Sequence, residues 1–85
     1  IANNQYPIAA VFENISKEIH AIDTCIVEVS YGRILKSNFD SIDTIPTFYI
    51  KWKEETIDVD FKNNQIQNWL RVKTENPKLK VLAIQ

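Results

Sequence analysis

Ile8, Val11, Phe12, Ile15, Ile19 and Ile22 recur at three- and four-residue spacing, which places them on one face of a helix. Pro7 suits the first turn, where its missing N–H leaves no bond unmade. The pattern predicts a helix that ends near Ile22, before Asp23-Thr24. From Thr24 the period changes to two. Cys25, Val27, Val29 and Tyr31 alternate with Thr24, Ile26, Glu28 and Ser30, which predicts a strand with one buried face running to Leu35. Gly32, the only glycine, is expected to mark a bulge or bend. Lys36 to Thr44 reads as a turn-rich loop.

Pro46 stands at the mouth of a second strand, with Phe48, Ile50 and Trp52 on one face and Tyr49, Lys51 and Lys53 on the other. A tight turn at Lys53-Glu54-Glu55 leads to a third alternating stretch, in which Ile57, Val59 and Phe61 oppose Thr56, Asp58 and Asp60. The two stretches predict an antiparallel hairpin whose outer face sets lysines against aspartates, each pair worth roughly 0.2–1 kcal/mol. Asn63 or Asn64 would cap a short helix carrying Ile66, Trp69 and Leu70, with Asn76-Pro77 as its stop. Lys78 to Gln85 ends in Val81-Leu82-Ala83-Ile84, which does not alternate and predicts a strand buried on both faces. Residues 1–5 read as a frayed leader.

The order is α-β-β-β-α-β in one domain, residues 1–85. It predicts an α+β two-layer sandwich, with two helices packed on one face of a mostly antiparallel four-stranded sheet. On the other face Ile26, Tyr49, Leu82 and Ile84 would form an apolar stripe.

Composition narrows the function classes. With 45% hydrophobic and 25% charged residues in 85, the chain is too apolar to be disordered and long enough for one domain. A single glycine excludes phosphate-cradling glycine loops. One cysteine and one histidine exclude an internal disulfide, a CxxC redox pair and the usual zinc modules, and no cofactor is expected. No apolar run approaches the roughly 20 residues of a membrane-spanning helix, and no basic-then-apolar leader is visible, so a cytoplasmic protein is expected. The chain begins at Ile1 and holds no methionine, which reads as a processed product or an excised domain. Charge is uneven: residues 1–60 carry a net −5 and residues 61–85 a net +4.

Several residues suggest chemistry, and each has a plainer explanation. Asp58 and Asp60 share a strand face and resemble a metal or proton-sharing pair, but the facing lysines account for them. Asp40 and Asp43 lie in a loop with Ser37, Asn38 and Ser41 but lack calcium-loop spacing. Cys25 has His20 five residues upstream, without an orienting third group, and reads as a small buried hydrophobe. Asn14-Ile15-Ser16 matches a glycosylation sequon but falls inside a predicted helix. Ile45-Pro46-Thr47-Phe48 resembles the cis-proline strand of thioredoxin-like proteins. No CxxC pair accompanies it and the preceding β-α unit is misplaced for that fold, so the likeness is not carried further.

These exclusions leave a small binding domain rather than an enzyme. The sequence points to a protein-interaction module, such as an inhibitor, an immunity-type partner or a regulatory subunit, acting by surface complementarity. Asp40, Asp43, Glu54 and Glu55 would steer a basic partner and Tyr49 would anchor it. The partner could equally be a second copy, joined through the C-terminal strand as an added sheet edge. One alternative is a nucleic-acid surface built on Arg71, Lys73, Lys78 and Lys80 beside Trp69. A second alternative is a fragment of a larger enzyme or assembly.

Overall fold

The computed structural model describes residues 7–84. The expected frayed leader, residues 1–5, lies outside them, as does Gln85. The order is α1 (Ile8–Ile22), β1 (Ile26–Ser37), β2 (Ile42–Trp52), α2 (Val59–Lys73) and β3 (Lys80–Ile84). It is a small α+β fold with two helices and a three-stranded mixed sheet in the order β1-β2-β3, not the expected four-stranded, mostly antiparallel one. β1 and β2 are antiparallel, and β2 and β3 are parallel with α2 as the crossover between them.

α1 has the predicted limits because its stripe is continuous. Ile8, Ile15 and Ile19 are buried, and Val11 and Phe12 pack at the core margin. Val11 leaves helical dihedrals (φ −118°, ψ 16°), which kinks the first turn. The helix stops where Asp23 turns extended, and the Asp23 side chain bridges forward to accept the Cys25 N–H at 2.9 Å.

The hairpin partner of β2 is β1. Their pairing runs from Ile26↔Trp52 to Ser37↔Ile42 across a tip at residues 38–41. Asn38 Oδ1 builds that tip by accepting the Asp40 and Ser41 N–H groups at 2.9 and 2.8 Å. The residues read as a loop, Lys36 to Thr44, are therefore mostly strand. The bulge falls between Ile26 and Glu28, not at Gly32. It moves Ile26 into the core and turns Val27 outward, reversing the alternation expected there.

The expected third strand is the start of α2. Val59, Ile66 and Leu70 continue a helical stripe, so the segment coils, and Ile57 and Phe61 are left 73% and 65% exposed. Asp58 precedes the helix in the left-handed region (φ 57°), so no cross-strand pairing of Asp58 and Asp60 with Lys51 and Lys53 forms. At the other end Glu75 takes φ 55°, Glu75 N–H bonds the Val72 carbonyl at 3.2 Å, and Asn76 N–H bonds the Arg71 carbonyl at 3.0 Å. This pair of hydrogen bonds around a left-handed residue stops the helix before Pro77. Every described peptide bond is trans, Ile45–Pro46 included.

Both helices lie on one face of the sheet. Ile8, Ile15, Ile19, Ile66 and Leu70 meet Ile26, Phe48, Ile50, Trp52 and Val81 there. Phe12, Tyr31 and Phe48 form an aromatic cluster with ring centroids 5.1–6.5 Å apart. β3 is buried on one face only, at Val81, since nothing covers Leu82 and Ile84 among the described residues.

Candidate functional site

The alternation that sends Val29, Tyr31, Phe48, Ile50 and Val81 to the helices sends their neighbours to the opposite, uncovered face. Across β1 and β2 that face reads, pair by pair, Glu28–Lys51, Ser30–Tyr49, Gly32–Thr47, Ile34–Ile45 and Lys36–Asp43. Register places Lys80 beside Thr47, Leu82 beside Tyr49 and Ile84 beside Lys51 on β3. Apolar side chains thus flank a Gly32–Thr47 centre, and residues of opposite charge stand opposite each other in register at both ends.

Leu82 and Ile84 are 43% and 46% exposed, Ile34, Ile45 and Tyr49 are half-buried, and Thr47 is buried beneath its neighbours. A shallow depression of about 220 Å³ opens between Ile34, Ile45, Thr47, Lys80 and Leu82. A Cβ built on Gly32 meets nothing within 4 Å, so the surface is open there as well. Beyond the reach of β3, which stops at the level of Thr47, the hairpin continues as a two-stranded arm tipped by Phe39.

The structure separates the acidic residues that the sequence groups together. Asp40 is at the arm tip and Asp43 stands opposite Lys36, whereas Glu54 and Glu55 follow the far end of β2. At a rise of about 3.3 Å per residue the two groups lie about 30 Å apart. Tyr49 is central to the open face. The basic quartet does not converge either. Arg71 Nε donates to the Leu79 carbonyl at 2.8 Å. Lys73 pairs with Glu18 at 3.1 Å and lies 5.5 Å from the Trp69 ring centre. Lys78 and Lys80 are exposed, Lys80 on the open face.

Ile34, Ile45, Gly32 and Thr47 belong to this surface and are missed by sequence reasoning. Their signal is present in the alternation of residues 28–36 and 43–51, but it becomes legible only once those stretches pair with each other. Ile26, expected on this face, is in the core because of the bulge.

The margins of the sheet are treated differently. Along α2, Asn63, Gln67 and Arg71 recur every four residues and reach the outer edge of β3. Asn63 Nδ2 donates to the Val81 carbonyl at 2.9 Å, Gln67 Oε1 accepts the Val81 N–H at 3.0 Å, and Arg71 takes the Leu79 carbonyl. Asn63 Oδ1 also accepts the Trp52 indole N–H at 3.4 Å. β3 is thus an edge strand, as an added-strand contact would require, but its outward backbone groups are occupied up to Val81.

On the helical side a groove of about 510 Å³ runs between Ile22, Phe61, Ile66 and Trp69. Asp23 and Lys62 pair at its rim, 3.3 Å apart. The Cys25 N–H bond, and after it Lys62, hold the Asp23 carboxyl below its ordinary 3.8, against the raising effect of burial. His20 is exposed on the last turn of α1, and Cys25 is a half-buried free thiol. Among the described residues no three His, Cys, Asp or Glu side chains gather to hold a metal ion, and no helix is long and apolar enough to cross a membrane.

Residues 11–83 match the family described as Domain of unknown function (DUF8492), and the chain belongs to that family. No curated protein and no solved structure matches it.

Proposed function

We propose that this member of the family is a non-catalytic protein-interaction module that works in the cytoplasm in a regulatory or inhibitory role, docking its partner on the uncovered sheet face. The observation that carries the reading is the one-sided sheet. An 85-residue chain has little apolar surface to spare for its own core, yet Ile34, Ile45, Tyr49, Leu82 and Ile84 line a face on which, among the described residues, no helix packs. Apolar residues ringed by charges are the usual composition of a docking patch. Tyr49 at the centre supplies an aromatic anchor, and Glu28, Lys36, Asp43 and Lys51 supply a charged rim. The nucleic-acid alternative has less support, because Arg71 and Lys73 are already engaged within the fold.

The test is affinity capture with the wild-type chain beside Tyr49→Ala, Asp43→Lys and Leu82→Lys. All three residues lie on the open face away from the core, so melting temperatures should stay within a few degrees of wild type. A specific partner should be retained by the wild type and lost from the variants. Retention by all three variants would place the interaction elsewhere.

A further inference from the structure

The charges on the open face are antisymmetric about its centre. Gly32 and Thr47 are register partners. Four residues to either side of Gly32 on β1 stand Glu28 and Lys36, of opposite sign. Four residues to either side of Thr47 on β2 stand Lys51 and Asp43, again of opposite sign. On β2, Tyr49 and Ile45 flank Thr47 at two residues, whereas Leu82 and Ile84 on β3 lie to one side of the centre.

A two-fold axis lying between two stacked sheets, perpendicular to the strands at the Gly32–Thr47 level, reverses strand direction and keeps each strand over its own counterpart. It brings Lys51 of one copy over Asp43 of the other, Glu28 over Lys36, and Tyr49 over Ile45, each contact occurring twice. We propose that the occupant of the open face is a second copy of this chain, stacked sheet to sheet about this axis. This rests on the reading of the face as a docking surface and adds the identity of the partner.

Two further observations agree with it. Stacked sheets lie about 10 Å apart, a gap that a lysine and an aspartate span together. The only glycine of the chain sits at the axis, where the approach is closest and a Cβ would meet open space in the single chain. The extent of the face sets the strength. Only β1 and β2 run through the axis, because β3 lies to one side of it. Two strands at about 4.8 Å and nine residues at about 3.3 Å give a footprint near 300 Å² per copy, roughly 600 Å² in total. That is below the roughly 1,000 Å² of a stable specific interface, so the dimer is a weak one. Lys80 falls over its own counterpart, but at the β3 margin, where its ammonium reaches solvent.

Sedimentation equilibrium at protein concentrations up to about 1 mM, in low and high salt, tests the arrangement. The wild type should dimerise, more weakly as salt rises. Lys51→Glu and Asp43→Lys each turn two attractive contacts between copies into repulsive ones and should weaken the dimer about tenfold or more. An equimolar mixture of these two variants restores opposite charges at both contacts and should recover association as a mixed dimer. Damage within one chain would persist in the mixture, so recovery separates contact between copies from loss of fold. Gly32→Lys, which the single chain accommodates, should abolish association without lowering the melting temperature. A wild type that stays monomeric overturns the second copy as occupant, and the capture comparison then reads the face independently. Self-association that the charge variants leave intact, or a mixture no tighter than its components, overturns the two-fold geometry.

Discussion

Asn63 on α2 donates its side-chain amide to the carbonyl of Val81 on β3 at 2.9 Å, tying the start of the crossover helix to the strand it delivers. With Gln67 and Arg71 it forms a ladder of side-chain hydrogen bonds on backbone groups that, in a wider sheet, a fourth strand would take. The ladder fixes where β3 sits, and β3 in turn fixes one side of the open face.

Removing a rung leaves a strand group without its partner. Gln67→Met keeps the length of the side chain and deletes the acceptor for the Val81 N–H. It should destabilise the fold by about 1–3 kcal/mol, read as a lower urea midpoint at unchanged slope, with faster hydrogen exchange at the Val81 amide. Val72→Ala, on the exposed side of the same helix, should change stability by less than about 0.5 kcal/mol. Equal effects from the two would mean that water replaces Gln67 without loss.

The carboxyl of Asp23 titrates below 3.8 in the folded chain. A folded-state pKa depressed in this way contributes stability that is complete above the unfolded value and is lost as pH falls through the folded one. Asp23→Ala should therefore lower the urea midpoint at pH 7, and the gap to wild type should narrow below pH 3.8. A gap independent of pH would mean that the residue acts through shape alone.

Phe39 is 96% exposed at the hairpin tip and holds φ 77°, a left-handed backbone that a bulky side chain disfavours. Phe39→Gly should raise stability by about 1 kcal/mol, seen as a higher melting temperature. A lower one would show that the ring makes a contact worth more than the backbone strain.

Gly32 sits mid-strand in ordinary extended backbone with free space around it. Gly32→Thr should stabilise the single chain by about 0.5–1 kcal/mol through reduced backbone entropy and better strand propensity. Thermal unfolding at low protein concentration isolates this effect from association. A destabilised variant would indicate a close approach that the single chain does not contain.

The sequence carries the limits of α1 without ambiguity, because six apolar positions in fifteen residues admit only the helical period. It is ambiguous at 57–61. Ile57-Asp58-Val59-Asp60-Phe61 alternates and offers aspartates to nearby lysines, but five residues are too few to separate a period of two from one of 3.6. What settles the matter is distant: β1 already occupies that side of β2, so Lys51 faces Glu28. The same long-range pairing hid the open face. Tyr49, Leu82 and Ile84 are legible from local alternation, whereas Ile34 and Ile45 join them only through a hairpin whose turn lies within a longer polar stretch, 36–44, that carries no single distinct turn signal. The bulge beside Val27 shifts the phase of one strand by a residue, which alternation alone does not reveal.

The three amide and guanidinium contacts along β3 also set the valence of the sheet. Strand-by-strand polymerisation needs two free margins on every molecule, one to accept and one to offer. α2 occupies the β3 margin up to Val81 and leaves only the end of a five-residue strand, so on that side the margin left to a second molecule is confined to the strand's end and to the five residues of β2 in the arm, 42–46. Growth by edge pairing is thereby limited on that side to short stretches, the longer of them on the arm that carries exposed Leu35 and Ile42.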